Sequence, residues 1–446
     1  MGAVSPSGTS RAPRAGGADT VRRYDAVVVG AGPAGATAAL LLARAGWKVA
    51  VVEKQAFPRR KVCGECIAAS NLPLLDELGL GALFEAGTGT DLRRVRLLHG
   101  TRAVTGGLPE ADHPRHAWGR AVTRETLDTL LLAQARDAGA EVLQPWSLQS
   151  VSGTAGAWSC EVRAVDGTAA LRLRAQLVID AHGCWEALPS ARDRRAAAHS
   201  ASDLFAFKAN FSGAVLDDGT IHLLALDGGY GGMVVAEGGI TTVACCVRRD
   251  RLHLLRIATP GERAGDTVET WLRQENDGVR RALQHATRVG PWLAAGPLVP
   301  GVRVATADGL FRVGNAAGEA HPVLGEGLSM ALQSAALLCS HLLADPAGAG
   351  AAPPASTHAV LQQRYAADWR RHFTPRLHVA AALAHTLMRP RGAALLMALL
   401  RVWPGLLTEG ARRGGKVRPP PRAAVAAARS PALPAARRAA ATPPAT

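Results

Sequence analysis

Residues Tyr24 to Glu53 read YDAVVVGAGPAGATAALLLARAGWKVAVVE, and that order of parts leaves a chain little choice but a βαβ unit built around a glycine turn. The apolar run from Ala26 to Val29 fits a strand buried on both faces. Gly30, Gly32 and Gly35 follow it at G-x-G-x-x-G spacing, and the alanine- and leucine-rich stretch Ala34 to Ala45 reads as a helix stopped by Gly46. A second apolar run, Val49 to Val52, ends at Glu53.

Each part has a physical use in holding a dinucleotide. Gly30 permits the tight turn, Gly32 lets backbone N–H groups approach a pyrophosphate, and Gly35 lets helix and strand pack closely. The helix N-terminus aims its positive end at the phosphates. Glu53, eighteen residues past Gly35, can accept hydrogen bonds from both ribose hydroxyls and would repel a 2'-phosphate, so FAD or NAD is favoured over NADP at this turn.

The chain has 446 residues, enough for two or three lobes with their own cores. Its formal charge of +15 invites a nucleic-acid reading. The excess, however, sits in the ends: +3 in residues 1–23 and +8 in residues 410–446, both rich in Ala, Pro and Gly, which leaves +4 for the body. Segments of that composition cannot build a core and read as a disordered leader and a disordered basic tail. The tail could touch acidic lipid or a carrier protein, or be merely solvated; nucleic acid is not expected.

No signal-like apolar core lies near the N-terminus, and the uncharged run Leu377 to Met388 is too short to span a bilayer. A cytoplasmic protein, at most peripheral to a membrane, is expected. Seven scattered cysteines do not suggest a disulfide framework, and no metal-ligand spacing stands out.

Along the chain, Asn71 to Leu80 and Thr123 to Ala138 read as helices, the second capped near Thr123 with Leu127, Leu130 and Leu131 on one face. Strands are expected at Arg93 to Val104, Trp158 to Val165, Leu171 to Arg174 and Leu177 to Ile179. Period-two segments between Leu204 and Val247 predict an antiparallel sheet. A helix is expected near Val268 to Ala286, then a return to the first domain at Leu310 to Gly314. A linker spans Asp345 to Ser356, and C-terminal helices span Leu361 to Leu407, broken at Pro390 and Pro404. The expected fold is α/β: a Rossmann-like dinucleotide domain (24–85, 119–185, 301–345), an inserted antiparallel-sheet substrate domain (86–118, 186–300) and C-terminal helices (358–409). No second glycine turn is found, so a nicotinamide partner, if used, would visit a shared surface.

Four segments in register carry a resemblance to a known family. Besides the first unit these are FPRRKVCGE (57–65), RETLDTLLLAQARDAGAEV (124–142), LVIDAHG (177–183) and FRVGNAAGEAHPVLGEGLSMALQSA (311–335). Residues 24–340 thus resemble the p-hydroxybenzoate hydroxylase-like flavoproteins, and the proline-arginine-lysine-cysteine-glycine stretch is similar to the geranylgeranyl reductase branch. By that resemblance Gly30, Gly32, Pro33, Ala34, Gly35, Glu53 and Lys54 would hold the ADP half of FAD, and Arg124 would reach the pyrophosphate. Gly314 and Asn315 would touch the ribityl chain; Pro322, Gly325, Gly327 and Leu328 would lie beside the ring. NADPH or NADH would be a transient electron donor. Two positions depart from the pattern: Asn315 stands for an aspartate and can still bond a ribityl hydroxyl, and His182 stands for another aspartate, linked to FAD and NADPH handling.

Chemistry could fall to few side chains, because flavin carries the reactive group. Cys63 and Cys66 form a C-x-x-C that reads as a redox pair, as a site-lining Cys63, or as packing. Arg59, Arg60 and Lys61 are either an anion grip or a solvated run. The glycine-rich stretch Asp227 to Met233 marks a close approach to flavin or substrate, with Tyr230 as donor, or else a bulge. His321 could exchange a proton or be structural.

The reading is a FAD-dependent oxidoreductase acting on an apolar or aromatic small molecule. A monooxygenase working through a flavin C4a-hydroperoxide on an aromatic or polyketide-like substrate is placed first, and a C=C reductase acting on an isoprenoid or enone second. A flavin halogenase ranks lower, since its tryptophan-rich strand motif is missing at Gly228 to Ala236, and a non-catalytic flavin-binding protein ranks last.

Overall fold

The computed structural model describes residues 21–183, 200–305, 308–344 and 351–416. The leader up to residue 20, the tail beyond 416 and the start of the 345–356 linker lie outside them.

The first unit folds as its sequence demands. The strand Val21–Val29 pairs in parallel with Val49–Val52, and with Ala170–Asp180 on its other side. The helix Pro33–Arg44 covers them, and its small side chains, Ala36 to Leu42, are fully or almost fully buried. Glu141–Leu143 extends the parallel sheet beyond Val49–Val52, and Phe311–Arg312 pairs in parallel with Ala170–Asp180. On the side of Ala170–Asp180 the sheet continues antiparallel through Ala157–Ala164 and Trp146–Thr154. The expected strands at 171–174 and 177–179 are one continuous strand, because the alternation Leu171, Leu173, Ala175, Leu177 is not broken between them.

A second seven-stranded sheet runs in the order Thr287–Leu298, Leu204–Ser212, Thr241–Arg248, Gly229–Val235, Thr220–Leu226, Arg94–His99, Arg102–Gly107. It is antiparallel except where Thr220–Leu226 pairs in parallel with Arg94–His99, joining two distant parts of the chain. Phe207, Phe211, Met233, Val243 and Trp271 build its core with the helices behind it.

Several helices differ from expectation. Arg249–Ala258 is a short helix with no fully buried residue; only Leu252 and Leu255 pack, half-buried, against the second core. The helix expected at 268–286 is two, Ala264–Glu275 and Asp277–Ala282, split where the Asn276 side chain accepts hydrogen bonds from the N–H groups of Gly278 and Val279 at 3.0 and 3.3 Å. The C-terminal helices are His358–Leu387, Pro390–Val402 and Gly405–Arg413. Their breaks fall at Pro390 and Pro404, and Pro390 stands in the first turn of the second helix, as its missing N–H permits. The last helix passes the expected boundary at residue 410, and Gly414 and Gly415 are buried behind it. The tail is therefore ordered up to residue 416: Gly415 and Lys416 carbonyls accept hydrogen bonds from the Ser70 hydroxyl and N–H at 3.1 and 3.2 Å.

Candidate functional site

The glycine turn is held from both sides. Gly30 adopts φ +99° and donates its N–H to the Val52 carbonyl at 2.8 Å. The Glu53 carboxylate, buried at the tip of its strand, accepts from the N–H of Ala31 and of Gln55, each at 2.9 Å. Gly35 is needed for packing, since a Cβ there would fall 1.9 Å from the Gly30 carbonyl oxygen. Gly32 differs. A Cβ on it would meet nothing nearer than Arg124 Nη2 at 3.7 Å, so the space before this helix is kept open by the glycine and not filled by protein. No side chain caps the helix at Gly32, so its first N–H groups face that space.

Cations gather beside it. Thr123 caps the helix Arg124–Asp137, accepting from Thr126 N–H at 3.3 Å. Arg124 bonds Asp128 through Nε and Nη2, both at 2.7 Å. Arg59 lies 3.4 Å from Asp128 and 3.6 Å from Glu53, yet its Nε and Nη1 make no hydrogen bond. Lys61 lines the same cavity, and burial, with Arg59 and Arg124 nearby, brings its ammonium down to about 8. Arg59 and Lys61 are thus turned inward, and the solvated-run reading does not hold for them. Arg60 leaves the cluster and donates to the Val289 carbonyl at 3.0 Å.

At the far end Gly325 turns with φ +64° ahead of the helix Gly327–Leu342. Between them Glu326 is fully buried without a hydrogen bond, 3.3 Å from Lys416 Nζ and 3.7 Å from Arg376 Nη1. A Cβ on Gly325 would sit 3.7 Å from Lys416 Nζ and 3.8 Å from Cys66 Cβ. Sequence reasoning missed Lys416, Glu326 and Arg376: a lysine after two glycines in a basic tail carries no signal of its own.

One cavity of about 560 Å³ unites these parts. Gly30, Gly32, Pro33, Ala34, Glu53, Lys54, Arg124, Gly314, Asn315, Pro322, Gly325, Gly327 and Leu328 line it, as do Cys63 and Tyr230. Gly35 and His321 do not. Cys63 and Cys66 are free thiols that burial pushes up, Cys66 to about 12, so both are protonated at neutral pH. Tyr230 is buried and stays protonated for the same reason. Its hydroxyl lies 3.4 Å from His321 Nδ1, and the His321 ring stands 5.4 Å from that of exposed His385. Burial, aided by His385, lowers His321 to about 4, which leaves it neutral. His182 pairs with buried Asp180, and its buried Nε2 has no partner. Beyond the turn the wall becomes aliphatic, with Leu97, Ile221 and Leu223 from the second sheet facing Leu383, Leu396 and Leu400 from the C-terminal helices.

The residues present fit FAD. Gly32 leaves a cradle open, Arg59 and His182 place buried nitrogens without a hydrogen bond at the cavity wall, and Glu53 stands where a ribose would need an acceptor. A dinucleotide turn running into an apolar cavity defines a FAD-dependent oxidoreductase. The chain belongs to the FAD-binding domain family, whose model matches residues 23–355.

Its relatives divide by reaction. It is 27% identical over 354 residues to the 1H-pyrrole-2-carbonyl-[peptidyl-carrier protein] chlorinase of Pseudomonas fluorescens, covering 72% of this chain and 76% of that one. It is also 27% identical over 355 residues to the kynurenine 3-monooxygenase of Salinispora arenicola, covering 74% and 75%. A 122-residue stretch is 40% identical to menaquinone reductase of Mycobacterium tuberculosis, but that is 27% of this chain and 28% of the reductase. The match to conditioned medium factor receptor 1 of Dictyostelium discoideum, 26% identical, covers 70% of this chain and 62% of that protein. Among solved structures the myxobacterial chondrochloren halogenase CndH superposes with a TM-score of 0.67 at 18% identity, covering 88% of this chain and 91% of that one.

Proposed function

We propose that the chain is a FAD-dependent monooxygenase that hydroxylates a phenol carrying a long alkyl or polyketide-derived chain. The observation that carries the reading is the line Tyr230, His321, His385, which runs from the cavity wall to the surface. A phenol must shed a proton as it becomes nucleophilic enough to be hydroxylated. Tyr230 can take that proton while passing its own to His321 Nδ1, whose ring packs against exposed His385 on the way to solvent. FAD supplies the two-electron redox chemistry when bound, with NADPH or NADH as the transient donor. The aliphatic walls keep water from the reacting end and accept an apolar chain. Alignments to the chlorinase and the monooxygenase extend over both lobes, which also supports an oxidative reading.

A second reading, reduction of a C=C bond in an isoprenoid or enone, is favoured by the Cys63 and Cys66 thiols. Both are held protonated at the site and are suited to giving a proton to the carbon next to one that has received hydride. It also agrees with the resemblance to the geranylgeranyl reductase branch.

The test is mass spectrometry of product from the photoreduced holoenzyme mixed with labelled dioxygen, chloride, and either an alkylphenol or a polyprenyl enone. One labelled oxygen atom in the phenol supports the monooxygenase. Two added hydrogens and no label on the enone would move the assignment to the reductase, and a chlorinated phenol would move it to a halogenase.

A further inference from the structure

Among the described residues five of fourteen exposed large hydrophobic side chains fall in one short stretch: Leu395, Leu399, Val402, Trp403 and Leu406, with Leu395 73% and Trp403 60% exposed. Leu395, Leu399 and Val402 lie on the helix Pro390–Val402, Trp403 caps its C-terminus and Leu406 lies on the helix Gly405–Arg413, the two helices being bent by 114° at their junction. The opposite face of the first helix is already satisfied, since Ala393, Met397 and Leu400 are buried. Leu395, Leu399, Val402 and Trp403 recur at i, i+4, i+7 and i+8, a second apolar stripe that faces solvent. A helix apolar on both sides has no reason to stay in water.

Charge and position narrow what covers it. Arg389, Arg391, Arg401, Arg412 and Arg413 are exposed around the stripe, against Glu409 as the one acid between residues 388 and 416. The chain beyond residue 416 adds five arginines and no acid, with Val417, Val425 and Leu433 as its only large aliphatic residues, too few to cover the stripe itself. The stripe is also continuous with the cavity: Leu406 is both 43% exposed and part of the cavity wall, beside Leu396, Leu400 and Leu407.

We propose that the bent helix pair Pro390–Arg413 seats on the surface of an anionic bilayer, with its arginines at the phosphates and Leu395, Leu399, Val402 and Trp403 in the acyl boundary. No single described helix is long and apolar enough to cross a membrane; the pair reaches that length only together and is bent by 114° at the break, a shape that suits the interface plane. Seated this way, the cavity wall formed by Leu406 faces lipid, and an apolar molecule can pass to the site without crossing water. The docking does not depend on which reaction the cavity performs.

Flotation of the full-length holoenzyme with phosphatidylcholine vesicles, with and without phosphatidylglycerol, tests this. The parent is expected to float with the anionic vesicles alone and to be released by salt. The double variant V402E/W403E, which keeps the basic tail, is expected to float about ten-fold less while retaining its FAD and its Tm. A parent that stays with the soluble fraction overturns the proposal, and so does a variant that floats as well as the parent, since the tail would then act alone. A parent dimer that the variant converts to monomer by light scattering would make the stripe an interface between copies. Retention on an acidic carrier protein in place of vesicles would reassign it to that partner.

Discussion

The Glu65 carboxylate and the Lys208 ammonium are paired where neither side chain reaches solvent, joining the segment after the glycine-turn unit to the strand Leu204–Ser212 of the second sheet. Glu65 also accepts from Arg124 N–H at 2.9 Å and from the Thr242 hydroxyl at 2.5 Å. It therefore ties the mouth of the cation cluster to two strands at once. A buried pair is expensive to break from one side, because the remaining charge is left dehydrated. Lys208→Met is expected to cost about 3–5 kcal/mol, and E65Q/K208M to recover most of that. Thermal unfolding of both variants decides this, and equal loss in the two would show that the pair's charge is not what matters.

The two glycines of the turn separate folding from binding. Gly32 has φ −64° and room for a methyl group, whereas a methyl on Gly35 would collide with the Gly30 carbonyl. Gly32→Ala is expected to leave the Tm of the apoprotein unchanged while weakening FAD at least about ten-fold, the equivalent of about 1.4 kcal/mol. Gly35→Ala is expected to fold poorly with or without FAD. Flavin fluorescence titration together with apoprotein melting reads both, and a Gly32→Ala protein that binds FAD normally would remove the pyrophosphate from this turn.

The proton line makes Tyr230 separable from cofactor binding. Tyr230→Phe keeps the ring and removes the hydroxyl that faces His321, so turnover is expected to fall about 100-fold with FAD content unchanged. Unaltered turnover of a phenolic substrate in Tyr230→Phe would leave the relay without a role.

His321 adds a pH signature to stability. Its value is about 4 in the fold against an ordinary 6.5, so between those values the unfolded chain takes up a proton that the folded one refuses. The associated stability is complete above pH 6.5 and is lost as the pH falls toward 4, about 3 kcal/mol in all. Melting curves from pH 4 to 7 are expected to show this slope in the parent and a smaller one in His321→Phe. Parallel curves would assign the acid sensitivity elsewhere.

The parts of the site that were legible in the sequence are those whose residues act through local backbone geometry. Gly30, Gly32 and Glu53 sit within one βαβ unit, and Gly325 and Gly327 within one strand-to-helix turn, so spacing alone places them. Arg59, Glu65, Lys208 and Lys416 are different. Their roles depend on which distant strand or loop they meet, and Lys208 lies in a strand buried on both faces whose apolar neighbours give no sign that its charge meets Glu65. His321 was expected beside the ring by sequence proximity to Pro322, but its side chain turns away behind Tyr230 and outside the cavity wall. The helix Arg249–Ala258 stayed illegible because it is short and only Leu252 and Leu255 pack, half-buried, against the second core.

Lys61 offers a probe of the cation cluster itself. With only Glu53 opposing burial and the charges of Arg59, Arg124 and Lys54, its ammonium is brought down to about 8 from an ordinary 10.5. An anion entering the turn would favour the charged form and pull the value back up. Binding of FAD above pH 8 should then take up a proton, so affinity falls as pH rises from 8 toward 10, by at most about ten-fold per pH unit. Below pH 8 the lysine is charged before and after binding, and affinity should be flat. Calorimetric titration of the apoprotein in buffers of different ionisation enthalpy reads the proton uptake directly. Lys61→Met is expected to bind FAD more weakly at pH 7 and to lose the alkaline slope. Should the slope persist in that variant, the proton belongs to another group and Lys61 does not face the pyrophosphate.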